Sequence, residues 1–163
     1  GRKLASYAQR FHMAELATAA YEKFEVSDFE ARRSGLSYTS DTLALLRKEY
    51  PDSAFSLILG ADSFFEFENW HAPEDICRNA RLLVAAREYA REHSSLSEHA
   101  RHLEERFGAR VALIPAPLLD ISSMHIRELL AAGKKSAAQY LPAAVYRYIQ
   151  AQGLYVPEKE GKL

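Results

Sequence analysis

Cysteine is nearly missing: Cys77 is the only one in 163 residues. An intrachain disulfide and a cysteine-rich zinc site are both excluded, and the scarcity suits a reducing compartment. Long apolar runs are missing too. Residues 81–86, Arg-Leu-Leu-Val-Ala-Ala, fall far short of the ~20 apolar residues of a bilayer-spanning helix. The first twenty residues contain Arg2, Lys3, Arg10, His12 and Glu15 and no apolar stretch of the kind a secretory leader has, so a cytoplasmic protein is expected. There is no excess of one charge. With a formal net charge of −1, no overall positive field would gather nucleic acid or an anionic membrane. Neither is expected as a partner, a homo-oligomer is left open, and any anionic ligand must be held by a local site. Gly-x-Ser-x-Gly, Gly-x-x-x-x-Gly-Lys and Gly-x-Gly-x-x-Gly are absent as well, which removes the nucleophile elbow, the P-loop and the dinucleotide fingerprint.

Apolar residues at 48% and charged residues at 26% describe an ordinary globular chain. A chain of this size makes one domain that buries roughly two thirds of its unfolded surface. The expectation is a domain over residues 1–157 and a mobile charged tail over 158–163. Phe11, Ala14, Leu16, Ala17 and Ala20 share a face and predict a helix over residues 9–22. Residues 24–29 alternate as a half-buried strand would. Leu43, Leu46 and Tyr50 predict a helix over 39–50 that stops at Pro51. Strands are predicted over 54–60, 81–87 and 110–114. Helices are predicted over 72–80, 95–107 with Gly108 as a stop, 122–132 with Gly133 as a stop, and 142–150. Helices and strands in alternation predict an α/β fold with a doubly wound parallel sheet and helices on both faces. Ligands of such sheets sit beyond the carboxyl ends of the strands.

Several residues near those ends have chemical potential, and each also has a plainer role. Ser122 or Ser123 can cap the helix that follows, where His125 and Arg127 stand in place of the acids usual at a helix start. Phosphate at that start would explain them; an N-cap with a surface arginine is the plainer account. Gly60 lets a group approach the backbone, and Asp62 can accept from a ribose hydroxyl or merely cap a helix. Trp70 follows Glu66, Glu68 and Asn69 and can stack on a flat ligand or anchor the core. In Arg32-Arg-Ser-Gly-Leu-Ser-Tyr-Thr-Ser-Asp-Thr42, Ser37, Thr39 or Ser40 can cap a helix, and free N–H groups there can hold a carboxylate. His12, His71, His93, His99, His102 and His125 are scattered. His99 and His102 read as a solvated helix face, so no metal site is expected.

Taken in order, these elements are far more specific than any one alone. Arg-x-Gly-x-Ser-Tyr-Thr-x-Asp-Thr at 33–42, Gly-Ala-Asp at 60–62, Trp70-His71, Val-Ala-Ala-Arg at 84–87, Ile-Ser-Ser-x-x-Ile-Arg at 121–127 and the close at 140–155 resemble the bacterial nicotinate-nucleotide adenylyltransferases. The resemblance runs from about Arg10 to Tyr155. It implies an enzyme that moves the adenylyl group of ATP onto nicotinate mononucleotide with Mg²⁺, releasing pyrophosphate. By the same resemblance Gly60 and Asp62 contact adenosine and its ribose, and Ser122, Ser123 and Arg127 hold the ATP phosphates, with Arg127 catalytic. Trp70 stacks on the pyridine ring, backbone groups near Thr39 and His71 take the nicotinate carboxylate, and Arg87 closes the mononucleotide side. Two departures stand out. Met124 occupies the place of a family threonine, and the family's opening strand with its Gly-x-Phe-x-Pro-x-His-x-Gly-His loop, one βαβ unit of about 30 residues or more, has no counterpart here. The alternatives are an adenylyltransferase for another phosphate such as phosphopantetheine, and a nucleotide-binding relic without turnover.

Overall fold

A computed structural model of the chain describes residues 5–33, 35–86, 89–117 and 121–156, excepting the side chains of 89–93. In chain order the elements are α1 (Tyr7–Thr18), α2 (Thr39–Glu49), β1 (Phe55–Gly60), α3 (Ala61–Phe65), α4 (Pro73–Asn79), β2 (Ala80–Ala86), α5 (Tyr89–Phe107), β3 (Val111–Pro115), α6 (Ser123–Ala131) and α7 (Ala143–Ala151). Short 3₁₀ turns at Phe67–Asn69 and Lys135–Tyr140 complete them. The chain divides into two compact units, one of Glu30–Leu119 and one of Gly1–Phe29 with Asp120–Leu163. No described helix is long and apolar enough to cross a membrane.

The unit of Glu30–Leu119 holds a parallel sheet in the order β1-β2-β3. Parallel neighbours need a crossover, usually helical; α4 leads into β2, and α5 joins β2 to β3. Register sets Leu57 beside Leu82, Leu59 beside Val84, and Val84 beside Leu113. That face packs with Phe64, Phe67, Ile76, Leu96 and Leu103 into one core, in which all five helical and turn side chains are fully buried. Each such side chain is worth about 1.5–3 kcal/mol of apolar transfer. The alternate positions of β1 point the other way, and Ile58 is 68% exposed. Among the described residues β1 pairs on one side only, with β2. Gly108, at φ +62, ends α5 by donating to the Glu104 carbonyl at 3.0 Å, the left-handed stop that glycine favours.

The other unit is helical. Leu130, Ala137, Val145 and Ile149 form its core, with Met13, Leu16 and Ala17 of α1 packed against it. A capping box starts α1 two residues before the predicted position: the Ser6 hydroxyl accepts from the Gln9 N–H at 3.3 Å, and Gln9 accepts from the Ser6 N–H at 2.9 Å.

The predicted strand over 24–29 does not form. Its backbone takes turns instead: the Phe24 N–H donates to the Tyr21 carbonyl at 3.0 Å, and the Ser27 hydroxyl accepts from the Phe29 N–H at 3.2 Å. Local side-chain acceptors compete with a sheet ladder, and alternation without a partner strand is not enough. Helix α5 begins six residues before the predicted start at 95.

Candidate functional site

The carboxyl ends of the three strands lie along one edge, since Gly60 is paired with Ala85 and Ala85 with Ile114. At that edge Gly60 is the N-cap of α3, with φ −77 and ψ 163. Any residue adopts that conformation, and a Cβ at Gly60 would meet no protein atom within 4 Å. Neither backbone geometry nor packing demands glycine here. Asp62 is exposed in the first turn of α3 and makes no cap hydrogen bond, so the plainer role open to it is not taken. Arg87 lies outside the described residues.

Trp70 and the Ser-Tyr-Thr segment meet. Ser37, Tyr38, Thr39, Trp70, His71 and Ile76 line one pocket of about 230 Å³. That is below the ~300–1,000 Å³ that encloses a drug-sized ligand, and suits a single ring with its substituent. Its floor follows from local folding. The 3₁₀ turn at Phe67–Asn69 buries Phe67, and the Trp70 indole leans on that ring at 5.6 Å. Trp70 is therefore both packed on the core and partly open to the pocket. Ala72 then takes a left-handed conformation, φ 48 and ψ 62, and Pro73 opens α4. The bend turns His71 toward the start of α2, where its ring lies 4.1 Å from that of Tyr38.

The start of α2 departs from the sequence reading. Neither Ser37, Thr39 nor Ser40 caps it. The N-cap is Tyr38, with no side-chain cap hydrogen bond. The free N–H groups of the first turn, a partial positive charge, thus stand beside a pocket with an indole in its wall. Arg33 reaches Asp41 at 3.7 Å and the Thr42 hydroxyl at 3.4 Å, and Thr42 donates to Glu30 at 2.7 Å, which fixes the approach to this turn. The Ser40 hydroxyl is buried without a hydrogen-bond partner.

In the helical unit, Ser122 is the N-cap of α6 and its hydroxyl accepts from the His125 N–H at 3.0 Å. Arg127 donates from Nη2 to the Ser123 hydroxyl at 3.0 Å. The guanidinium is thereby drawn back toward the helix start, which has no acid in its first turn. Met124 is exposed there.

Among the described residues no group of three His, Cys, Asp or Glu side chains could hold a metal. Contrary to the expectation of a solvated face, His99 is half-buried. Its ring stands edge-on to Phe64 at 5.0 Å, and Nε2 lies 3.1 Å from the Phe64 carbonyl. His102 pairs with Glu68, which Arg106 also reaches at 3.4 Å. Helix α3 supplies the partner of His99, and the 3₁₀ turn after it supplies the partner of His102.

The parallel sheet carries the start of α3 at the carboxyl end of β1, and residues 2–129 match the cytidylyltransferase-like family, which makes the chain a nucleotidyltransferase-like protein. The chain is 38% identical over 147 residues to a protein of Lachnoclostridium phytofermentans named probable nicotinate-nucleotide adenylyltransferase, covering 90% of this chain and 72% of that one. A protein of Pelobacter propionicus with the same name is 35% identical over 162 residues, covering 91% and 74%. The fold matches the Plasmodium falciparum nicotinic acid mononucleotide adenylyltransferase complexed with NaAD, with a TM-score of 0.72 at 21% identity over 94% of this chain and 76% of that one. The chain belongs to the nicotinate-nucleotide adenylyltransferase family.

Proposed function

We infer that the chain transfers the adenylyl group of ATP to nicotinate mononucleotide, with residues 1–157 acting as one catalytic domain. The observation that carries this reading is the pocket in which Trp70 and His71 face the uncapped start of α2. A flat ring stacks on the indole, and its carboxylate accepts from N–H groups near Thr39 and His71. A neutral carboxamide gains less from the same partial positive charge, which favours the acid form. Gly60 and Asp62 take adenosine and its ribose, Ser122, Ser123 and Arg127 take the triphosphate, and Arg87 closes the mononucleotide side.

In the reaction an oxygen of the 5′-phosphate attacks the α-phosphorus of ATP. The new P–O bond forms as the bond to the β-phosphate oxygen breaks, and pyrophosphate leaves. The nucleophile is already an anion, so no protein base is required; alignment and neutralisation of charge by Arg127 and the helix N–H groups lower the barrier. Mg²⁺ would enter with the triphosphate and would supply further neutralisation of the phosphate charge. Met124 removes a hydroxyl donor that the family resemblance implies, while its backbone N–H stays. This chain spans 72–74% of the length of those two relatives.

Trp70 is the only tryptophan, so its emission tests the pocket directly. Nicotinate mononucleotide should quench it with saturation, and nicotinamide mononucleotide should do so more weakly. Quenching by phosphopantetheine alone would overturn the reading.

A further inference from the structure

Tyr38 holds the N-cap position of α2 yet makes no cap hydrogen bond, although Ser, Thr, Asp and Asn are the residues that suit that position. It is 40% exposed, so it is not a core anchor either. What its ring does is lie against His71, centroid to centroid at 4.1 Å and tilted by 34°. Both rings stand on the rim of the pocket that Trp70 and Ile76 complete.

The two halves of that rim are held differently. Trp70 rests on the buried Phe67 ring and the sheet core. His71 is exposed and precedes Ala72, whose left-handed backbone is unfavourable for a residue with a Cβ. A bend of that kind persists only where surrounding contacts hold it. Among the described residues, Tyr38 is the one ring that packs on His71.

We propose that Tyr38 is a positioning residue for the pyridine nucleotide: stacked on His71, it ties the 70–72 turn to the start of α2 and so sets the gap between the indole and the uncapped N–H groups. This rests on the reading of the pocket as the pyridine-nucleotide site. The gap is what a ring bearing an acid group requires, because stacking and carboxylate contact must be satisfied together.

The test is titration of Trp70 fluorescence with nicotinate mononucleotide in the wild type and in Tyr38→Phe and Tyr38→Leu. Tyr38→Phe keeps the stack and should bind within about twofold of wild type, while Tyr38→Leu should bind roughly threefold to tenfold more weakly, the range of an aromatic pair. ATP affinity, read by calorimetry, should not move. In a His71→Leu background Tyr38→Leu should have no further effect, since the partner ring is already gone. Should Tyr38→Leu fail to fold, His71→Ala removes the other ring from an exposed position and should show the same loss. Unchanged affinity in Tyr38→Leu, or the same loss with and without His71, would overturn the proposal while leaving the pocket assignment standing. No response of wild-type Trp70 to the nucleotide would overturn the pocket reading, and the role of Tyr38 with it.

Discussion

Arg127 donates a hydrogen bond to the Ser123 hydroxyl one turn back along α6, at 3.0 Å, so a cation is folded toward the positive end of its own helix. In the absence of an anion that placement is unfavourable by ~0.3–1 kcal/mol, and a bound triphosphate reverses its sign.

Arg127→Ala should therefore leave the ligand-free protein as stable as wild type to within about 1 kcal/mol. With ATP present the same change deletes a charge-assisted contact worth ~1.5–3 kcal/mol, and transfer slows by at least that factor. Melting with and without ATP, beside a rate measurement, reads both effects. A large loss of ligand-free stability at an unchanged rate would make Arg127 a structural residue.

Gly60 offers a cleaner separation of fold from ligand. An alanine there meets open space at an ordinary φ, so Gly60→Ala should not destabilise and should gain up to ~1 kcal/mol from the stiffer unfolded chain. ATP affinity should drop, because the methyl occupies the approach assigned to adenosine. Equal ATP binding in a stable Gly60→Ala protein would remove Gly60 from the site.

Cys77 reports on the core beneath the pocket. It is 2% exposed, and burial, aided by the Glu74 carboxylate, pushes its thiol from 9.0 up to about 11. The unfolded chain loses this proton first as pH rises. The unfolded state then binds fewer protons than the native one, and stability falls between 9.0 and about 11 while being fully present below that window. At ~1.4 kcal/mol per pH unit the loss is on the order of 2–3 kcal/mol. Urea midpoints at about pH 8 and about pH 10.5 should show this decline in wild type and a smaller one in Cys77→Ala. Parallel declines would show that Cys77 is not the responsible group.

The sequence made some of this legible for physical reasons. Leu43 and Leu46 share a face at helical spacing and Pro51 ends the pattern, so α2 was readable to within a residue. Ser122 announced its cap, and β2 its burial, by composition. Helix α3 and the 3₁₀ turn after it were not readable, because five and three residues are too few for any period to emerge. They nevertheless bury Phe64 and Phe67 and set the angle of Trp70. The uncapped start of α2 is illegible for the opposite reason: Ser37, Thr39 and Ser40 crowd the region with capable caps, and only tertiary packing decides that none is used. The stack of Tyr38 on His71 joins residues 33 positions apart and leaves no local trace.

Product formation tests the central claim most directly. The protein is assayed with ATP and Mg²⁺ and equal concentrations of nicotinate mononucleotide, nicotinamide mononucleotide or phosphopantetheine, and pyrophosphate is measured against time. The account predicts the fastest release with nicotinate mononucleotide, with nicotinate adenine dinucleotide as the matching product. Faster release with phosphopantetheine, or none with any acceptor while ATP still binds, would contradict it.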